Sequence, residues 1–187
     1  MKEIEMKLIS ELMKNSRRSD RDLARAIGTS QPTITRLRTR MEKEGLIRAY
    51  TMVPDFTKIG YHLLAVIFVK LKNLDAKKIS EAREIARQQL RESNFGIVML
   101  ERGEGLGYDG VILSFYEDYS AYVKHKNELK QFPFIASQVS SFLVNLDDEI
   151  RYQPMNFTHL ANLLVKREKK GKDESQLLKQ RQYPLQV

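Results

Sequence analysis

A row of cationic and small polar side chains lies on one side of a short predicted helix near the N-terminus. Ile34, Leu37 and Met41 recur at helical spacing, so they share one face and should point toward a core. The polar residues of the other side are Thr33, Thr35, Arg36, Thr39 and Arg40. Arginine can donate two hydrogen bonds to guanine, and cations attract phosphates. This face therefore suits the reading of DNA, although a solvated charged face remains the alternative.

A second short helix is predicted immediately before the cationic one. Ser19 is a suitable N-cap, and Gly28 tolerates the left-handed geometry of a helix end. Two short helices joined by a tight turn, the second of them cationic, form a helix-turn-helix, whose second helix enters the major groove. We therefore predict double-stranded DNA as a partner. The residues expected at base edges are Gln31, Thr33, Thr35, Arg36 and Arg40, and those expected at phosphates are Arg38, Arg48, Arg17 and Arg18.

The distribution of charge supports this prediction. The 187 residues carry a net charge of +8, with +5 in residues 1–52, −1 in residues 53–159 and +4 in residues 160–187. Because no cysteine is present, disulfides, thiol catalysis and cysteine zinc sites are excluded. No apolar run approaches the roughly 18 residues of a membrane span, so a cytoplasmic protein without membrane contact is expected. His62, His125 and His159 form no spaced ligand pair, and we expect no metal site, no cofactor and no catalytic residue.

The middle of the chain alternates between strand and helix patterns. Strands are predicted at 63–71, 95–100, 111–116 and 139–146, with helices at 75–92 and 118–131 between them. The order βαββαβ is that of a ferredoxin-like unit. One sheet face would be covered by the helices, and the other, still apolar, would pair with a second copy of the chain. Residues 46–52, rich in strand formers, are expected to form a wing or edge strand.

These patterns give an α+β fold class. It combines an N-terminal winged helix-turn-helix with a C-terminal ferredoxin-like domain and a helical, basic C-terminal tail. The expected domains are 1–52 for DNA binding, 53–62 as a hinge, 63–150 as the sheet domain that pairs with a second copy, and 151–187 as the basic extension. The extension is interpreted either as a solvated end or as an arm that packs on a neighbouring subunit or touches DNA phosphates.

The chain resembles the leucine-responsive regulator family, also called Lrp/AsnC, over about residues 1–146. The resemblance lies in Leu-Ala-Arg-Ala-Ile-Gly-Thr-Ser before the cationic helix, in Met-Glu-Lys-Glu-Gly-Leu-Ile after it, and in Tyr50 and the Gly60 hinge segment. It implies a transcriptional regulator that forms homodimers or larger homo-oligomers and whose domain at residues 63–150 senses a small effector, commonly an amino acid.

The glycine-rich residues 103–110 are the segment in which the resemblance implies an effector site. The effector-binding candidates are Gly105, Gly107, Tyr108 and Asp109. Family members often have glycine three residues before the aspartate, whereas this chain has Leu106. A flexible hairpin without a ligand is the alternative; a phosphate-binding loop is disfavoured because the segment lacks Lys-Ser/Thr and leads into a strand.

Two other functions stay open at this point. Sirohaem decarboxylases resemble the same family and process a tetrapyrrole, and His125 is the only histidine well inside the domain that would do this work. An architectural protein that binds DNA without an effector would instead show high cooperativity and little sequence preference.

Overall fold

The computed structural model describes residues 2–72, 76–150 and 155–166, apart from the side chains of residues 76, 77, 89 and 137. The chain forms two compact units. The first combines the N-terminal residues up to Val53 with C-terminal residues 155–166, and the second runs from Pro54 to residue 150. Within the described ranges, no helix is long and apolar enough to cross a membrane.

The first unit contains the predicted helix-turn-helix. Its helices are α1 (Glu3–Lys14), α2 (Asp20–Ile27) and α3 (Gln31–Lys43). The Ser19 side chain accepts the Asp22 N–H at the start of α2, and Gly28 ends it with φ 81°. The backbone therefore turns sharply into α3, as the glycine permits. The buried apolar core comes from all three helices: Leu8, Leu12, Leu23, Ala24, Ile34, Leu37 and Met41.

The predicted wing strand is wrong for the described residues. Residues 46–52 form no strand and pair with no other strand. The N–H groups of Leu46 and Ile47 both donate to the Met41 carbonyl, at 2.9 and 3.2 Å, and so close the end of α3. Because these donors are already used, they are not free for a β-ladder. Strand-forming residues alone could not reveal this competition.

The second unit is the predicted ferredoxin-like domain. After a short 3₁₀ helix (Thr57–Ile59), its elements are β1 (Leu63–Leu71), α4 (Ala76–Glu92), β2 (Gly96–Gly105), β3 (Tyr108–Tyr116), α5 (Tyr119–Gln131) and β4 (Ile135–Asn145). The four strands form one antiparallel sheet in the order β2-β3-β1-β4. The first strand has the predicted bounds, and β2, β3 and β4 are longer than predicted.

The two faces of the sheet differ in burial. Ala65, Ile67 and Val69 of β1 are buried with the domain core, whereas the alternating residues between them are only half-buried. Val66 lies between Leu113 of β3 and Phe142 of β4 in the sheet register, and 66% of Phe142 is exposed. The outer face of the sheet is therefore apolar and, in a single chain, partly open to water.

The glycine-rich segment is a tight hairpin and not a loop. Its first residues complete β2 and its last begin β3, so only Leu106 and Gly107 remain as the turn. Their φ angles are 53° and 79°. A two-residue turn with two positive φ angles matches the twist of antiparallel strands. A positive φ is unusual for a residue other than glycine, and Leu106 adopts it at a position where its side chain is 82% exposed.

Residues 158–166 form a further helix, α6, in the first unit. The Ser10 hydroxyl of α1 donates to the Ala161 carbonyl at 2.9 Å, and both residues are fully buried. The helical part of the predicted extension thus packs on the helix-turn-helix unit of its own chain. The basic run after Lys166 lies outside the described residues.

Candidate nucleic-acid interface

The start of α3 is fixed by its own side chains. Ser30 is the N-cap: its hydroxyl oxygen accepts the Thr33 N–H and lies 2.8 Å from the Thr33 hydroxyl. Pro32 occupies the first turn, where a missing N–H costs little. The buried stripe of α3 faces the core, so the opposite side is presented to solvent. Gln31, Thr35 and Arg36 are exposed there.

Arg36 differs from the other arginines of α3. It is exposed and makes no hydrogen bond or ion pair with any residue that the structure describes. Its guanidinium, which stays charged at neutral pH, can therefore reach a partner outside the protein without losing an internal contact.

Arg38 and Arg40 are held by carboxylates. Arg38 forms ion pairs with Asp20 of α2 at 2.8 Å and with Glu42 at 3.8 Å. Arg40 pairs closely with Glu5 of α1 and, at 3.7 Å, with Glu44. These contacts hold Arg40 against the neighbouring helix, which the spacing within α3 does not indicate.

Asp20 and Glu5 belong to this interface but were not singled out from the sequence. Asp20 also accepts the Thr35 hydroxyl at 2.6 Å, so one carboxylate fixes two side chains of α3. The backbone N–H of Lys2, together with Arg40, holds the pKa of the Glu5 carboxyl below its usual value. Sequence spacing gave no signal for either contact, because the partners lie on different helices.

The predicted phosphate contacts fall into two groups. Arg17 and Arg48 are exposed and have no ion pair among the described side chains. Arg18 pairs closely with Glu11 and donates to the Asp22 carbonyl at 3.3 Å. Two further exposed cations without a described ion pair, Arg21 and Lys43, were not predicted as contacts. The sequence could have indicated both as DNA contacts, since each lies on a helix of the helix-turn-helix.

The four candidate effector residues do not converge on one point. Gly105 ends β2, and Gly107 lies in the exposed turn of the hairpin. The Tyr108 hydroxyl bonds to Ser140 of β4. The Asp109 carboxylate accepts hydrogen bonds from the backbone N–H of Leu71 at 2.9 Å and from the Lys70 ammonium at 3.1 Å. The bond from the Leu71 N–H is the main reason that the pKa of Asp109 lies below its usual value.

Comparisons with known proteins show which family the chain resembles. A model described as "Winged helix-turn-helix DNA-binding" matches residues 1–48. An HTH-type transcriptional regulator of Pyrococcus abyssi is 31% identical over 125 residues, which cover 65% of this chain and 79% of that protein. LrpC, an HTH-type transcriptional regulator of Bacillus subtilis, is 34% identical over 76 residues, 41% of this chain and 53% of that protein. The chain belongs to the Lrp/AsnC family of transcriptional regulators.

Solved structures extend the likeness of fold beyond these alignments. An AsnC family transcriptional regulator from Agrobacterium tumefaciens superposes with a TM-score of 0.66 at 20% identity, covering 85% of this chain and 99% of the other. A Neisseria meningitidis regulator solved as a complex with L-Met gives 0.66 at 19% identity, covering 86% and 99%. At such identities the likeness shows the fold alone.

The sequence alignments with these relatives cover only part of each protein. An HTH-type regulator of Pyrococcus horikoshii is 36% identical over 95 residues, which span 50% of this chain and 64% of that protein.

The tetrapyrrole-enzyme hypothesis receives no support from these relatives. Its candidate histidine, His125, is buried, and its Nδ1 is bonded to the Tyr116 hydroxyl.

Proposed function

We propose that this protein is a sequence-specific DNA-binding transcriptional regulator that acts as a homodimer and responds to a small effector. The observation that carries the proposal is the exposed, unpaired Arg36 on α3, the second helix of a capped helix-turn-helix. In such motifs the N-terminal part of the second helix approaches the base edges. Arg36 would supply the two hydrogen bonds that recognise a guanine.

The arginines of α3 differ in whether a carboxylate already pairs with them, and this difference refines the proposed contacts. Gln31 and Arg36 are the base-reading candidates, with Thr33 and Thr35 beside them, although the hydroxyls of both threonines already have partners within the protein. Arg38 and Arg40 would have to leave their carboxylates, Asp20 and Glu5, before they could bind DNA. We assign both a positioning role on α3, with phosphate contact by Arg38 as a second role.

Electrostatic contact with the DNA backbone would come from cations that have no internal ion pair. Arg17 and Arg48 meet this condition, and Arg18 does so less well because Glu11 holds it. Neutralising a phosphate releases counterions, so each contact steepens the salt dependence of binding. Removal of Arg17 or Arg48 should weaken binding to all sequences about equally and reduce the salt slope by roughly one unit.

A homodimer would pair the outer sheet faces. Val66, Leu113 and the exposed Phe142 form an apolar row across three adjacent strands of the sheet, β3, β1 and β4. Covering such a row with a second copy removes apolar surface from water on both chains. The two-fold axis would then present two copies of α3 to successive major grooves, roughly 34 Å apart on a partly palindromic site.

The effector is proposed to be an amino acid or a similar small molecule. The L-Met complex of the Neisseria regulator supports this class, because the two proteins share a fold. In this chain the proposed contacts are Gly105, Gly107, Tyr108 and Asp109. The Asp109 carboxylate would attract an amino group, which would compete with Lys70 for it.

Selection of bound sequences from random DNA tests the proposal. The full-length protein is used, with and without a pool of the twenty amino acids, and the enriched sequences are compared. A shared, partly palindromic motif is expected, and a change in its enrichment with one amino acid would identify the effector. Enrichment without any common motif would contradict sequence-specific regulation and favour the architectural alternative.

A further inference from the structure

A large cavity lies within the second unit, between α4 and the inner face of the sheet. Its volume is about 760 Å³. Small-molecule sites in proteins usually have volumes of roughly 300–1,000 Å³ and mainly apolar walls. The walls here include Ile79, Ala82, Ala86, Leu90, Phe95 and Leu129, contributed by both helices and by the residues before β2.

The inner face of α4 is not covered by the protein itself. Ile79, Ala82 and Ala86 are only half-buried, and 37% of Leu90 is exposed. None of the described side chains of α4 is buried, whereas α5 buries Tyr122 and His125. Apolar surface in contact with water costs about 25 cal/mol per Å², so an apolar molecule between α4 and the sheet would stabilise this arrangement.

His125 supplies a polar atom in this mainly apolar site. The residue is 4% exposed and lines the cavity. Its Nδ1 is bonded to the Tyr116 hydroxyl, and its ring stacks on Phe95 with centroids 4.2 Å apart. The ring is therefore held in one orientation, and Nε2 has no hydrogen-bond partner among the described residues. A ring nitrogen on the cavity wall that has no partner among the described residues can bind the polar group of a ligand.

The charges around the cavity favour an uncharged molecule. Four basic and four acidic side chains line it, so their formal charges cancel. Two of them are already engaged: Asp109 by Leu71 and Lys70, and Lys72 by the Pro133 carbonyl at 2.7 Å. Burial lowers the pKa of His125 to about 4, so its imidazole is neutral at pH 7. A neutral imidazole pairs with a hydroxyl or carbonyl and offers no charge to a carboxylate.

We propose that this cavity binds an uncharged, largely apolar organic molecule of about 20–30 non-hydrogen atoms, which hydrogen-bonds to His125 Nε2 through a hydroxyl or carbonyl group. The volume far exceeds that of an amino acid, so this ligand differs in size from the effector proposed above, and Asp109 lies at both proposed sites. Its binding would bring α4 and the sheet into one continuous apolar core.

Nile red, an uncharged apolar dye with a carbonyl group and a size in this range, is a suitable probe for the full-length protein. Saturable binding with blue-shifted fluorescence is expected. Ala82→Trp, which fills the cavity from α4, should weaken binding at least about tenfold, because packed sites do not accept added volume. The matched control is Arg87→Trp, at an exposed position of the same helix, and it should bind like the unchanged protein.

Two further measurements separate the cavity from the rest of the surface. Ala86→Phe replaces Ala82→Trp if circular dichroism shows that the tryptophan variant does not fold. His125→Leu should weaken binding about tenfold by removing one hydrogen bond to the dye. Unchanged affinity in the cavity-filled variant, or loss of binding in Phe142→Ser on the outer sheet face, would overturn the proposal.

Discussion

His125 is a buried imidazole whose environment favours its neutral form. It lies against Phe95 and bonds to Tyr116, and burial lowers its pKa from 6.5 to about 4. The same burial raises the pKa of the Tyr116 hydroxyl to about 12. Both groups therefore stay uncharged across the physiological pH range.

The stability of the protein should depend on this histidine below neutral pH. Between pH 6.5 and about 4 the unfolded chain binds a proton at His125 that the folded protein does not bind. The stabilisation is thus complete above pH 6.5 and is lost as the pH falls through this window, by on the order of 2 kcal/mol. Urea unfolding at a series of pH values measures the effect.

His125→Gln is the comparison variant, since glutamine keeps a hydrogen bond to Tyr116 but does not titrate. Its free energy of unfolding should fall less steeply between pH 6.5 and 4 than that of the unchanged protein. Parallel pH profiles for the two proteins would contradict the lowered pKa.

At the same scale, the arginines show where sequence reasoning reaches its limit. Helical periodicity correctly assigns Ile34, Leu37 and Met41 to the core and leaves Arg36 exposed. It does not reveal that Arg38 and Arg40 are held by Asp20 and Glu5, because those partners lie on other helices. Tertiary pairing of charges depends on how the helices pack, which residue spacing does not contain.

Among the elements, α6 has the most direct energetic test. The Ser10 hydroxyl donates to the Ala161 carbonyl where both residues are fully buried. Ser10→Ala removes the donor and leaves a buried carbonyl without this partner, so the free energy of unfolding should fall by about 1 kcal/mol. The slightly better helix propensity of alanine offsets part of this loss. Chemical unfolding followed by far-UV circular dichroism measures it.

Ser16→Ala is the matched control for this change. Ser16 donates to the Thr51 carbonyl at 3.2 Å, but this bond is exposed, so water replaces it at little cost. Its effect should be clearly smaller than that of Ser10→Ala. Equal effects of the two substitutions would mean that α6 contributes little to the stability of the first unit.

The hairpin between β2 and β3 illustrates a second limit of sequence reasoning. Several glycines in residues 103–110 predict a loop, yet only Leu106 and Gly107 form the turn. Glycine permits positive φ but does not require it, and the antiparallel register with β3 extends to Gly105. Cross-strand pairing therefore overrides local preference, whereas the buried run of β1 was predicted with its correct bounds.

For the whole molecule, the order of elements was predictable and the assignment of α6 was not. Periodicity and capping residues predicted the two helices of the helix-turn-helix and the βαββαβ order, because each element carries its own local pattern. The packing of residues 155–166 with the N-terminal unit depends on a contact between residues 151 positions apart. No local pattern encodes such a contact.

Dimerisation through the outer sheet face gives a prediction at this scale. Phe142→Glu places a charge at one end of the apolar row, where the side chain is most exposed, and desolvating that charge would oppose dimer formation. The sedimentation coefficient should fall to that of a monomer, and affinity for a two-half-site DNA should fall with it. Analytical ultracentrifugation and a DNA titration measure the two effects.

Tyr119→Glu is the matched control for the dimer prediction. Tyr119 is exposed to a similar extent, 64% against 66% for Phe142, but it lies on α5, away from the outer sheet face. The control should remain dimeric. Unchanged sedimentation of Phe142→Glu would exclude this face as the dimer contact.

The most direct test of sequence-specific DNA binding is a titration of Arg36→Ala against the selected DNA motif and a scrambled version of it. The control is Arg87→Ala, which removes the same charge from the second unit. Arg36→Ala should bind the motif roughly ten- to a hundredfold more weakly and discriminate less between the two DNAs, because one bidentate base contact is lost. Arg87→Ala should retain full affinity and preference. Unchanged affinity and preference in Arg36→Ala would contradict the assignment of α3 as the helix that reads DNA.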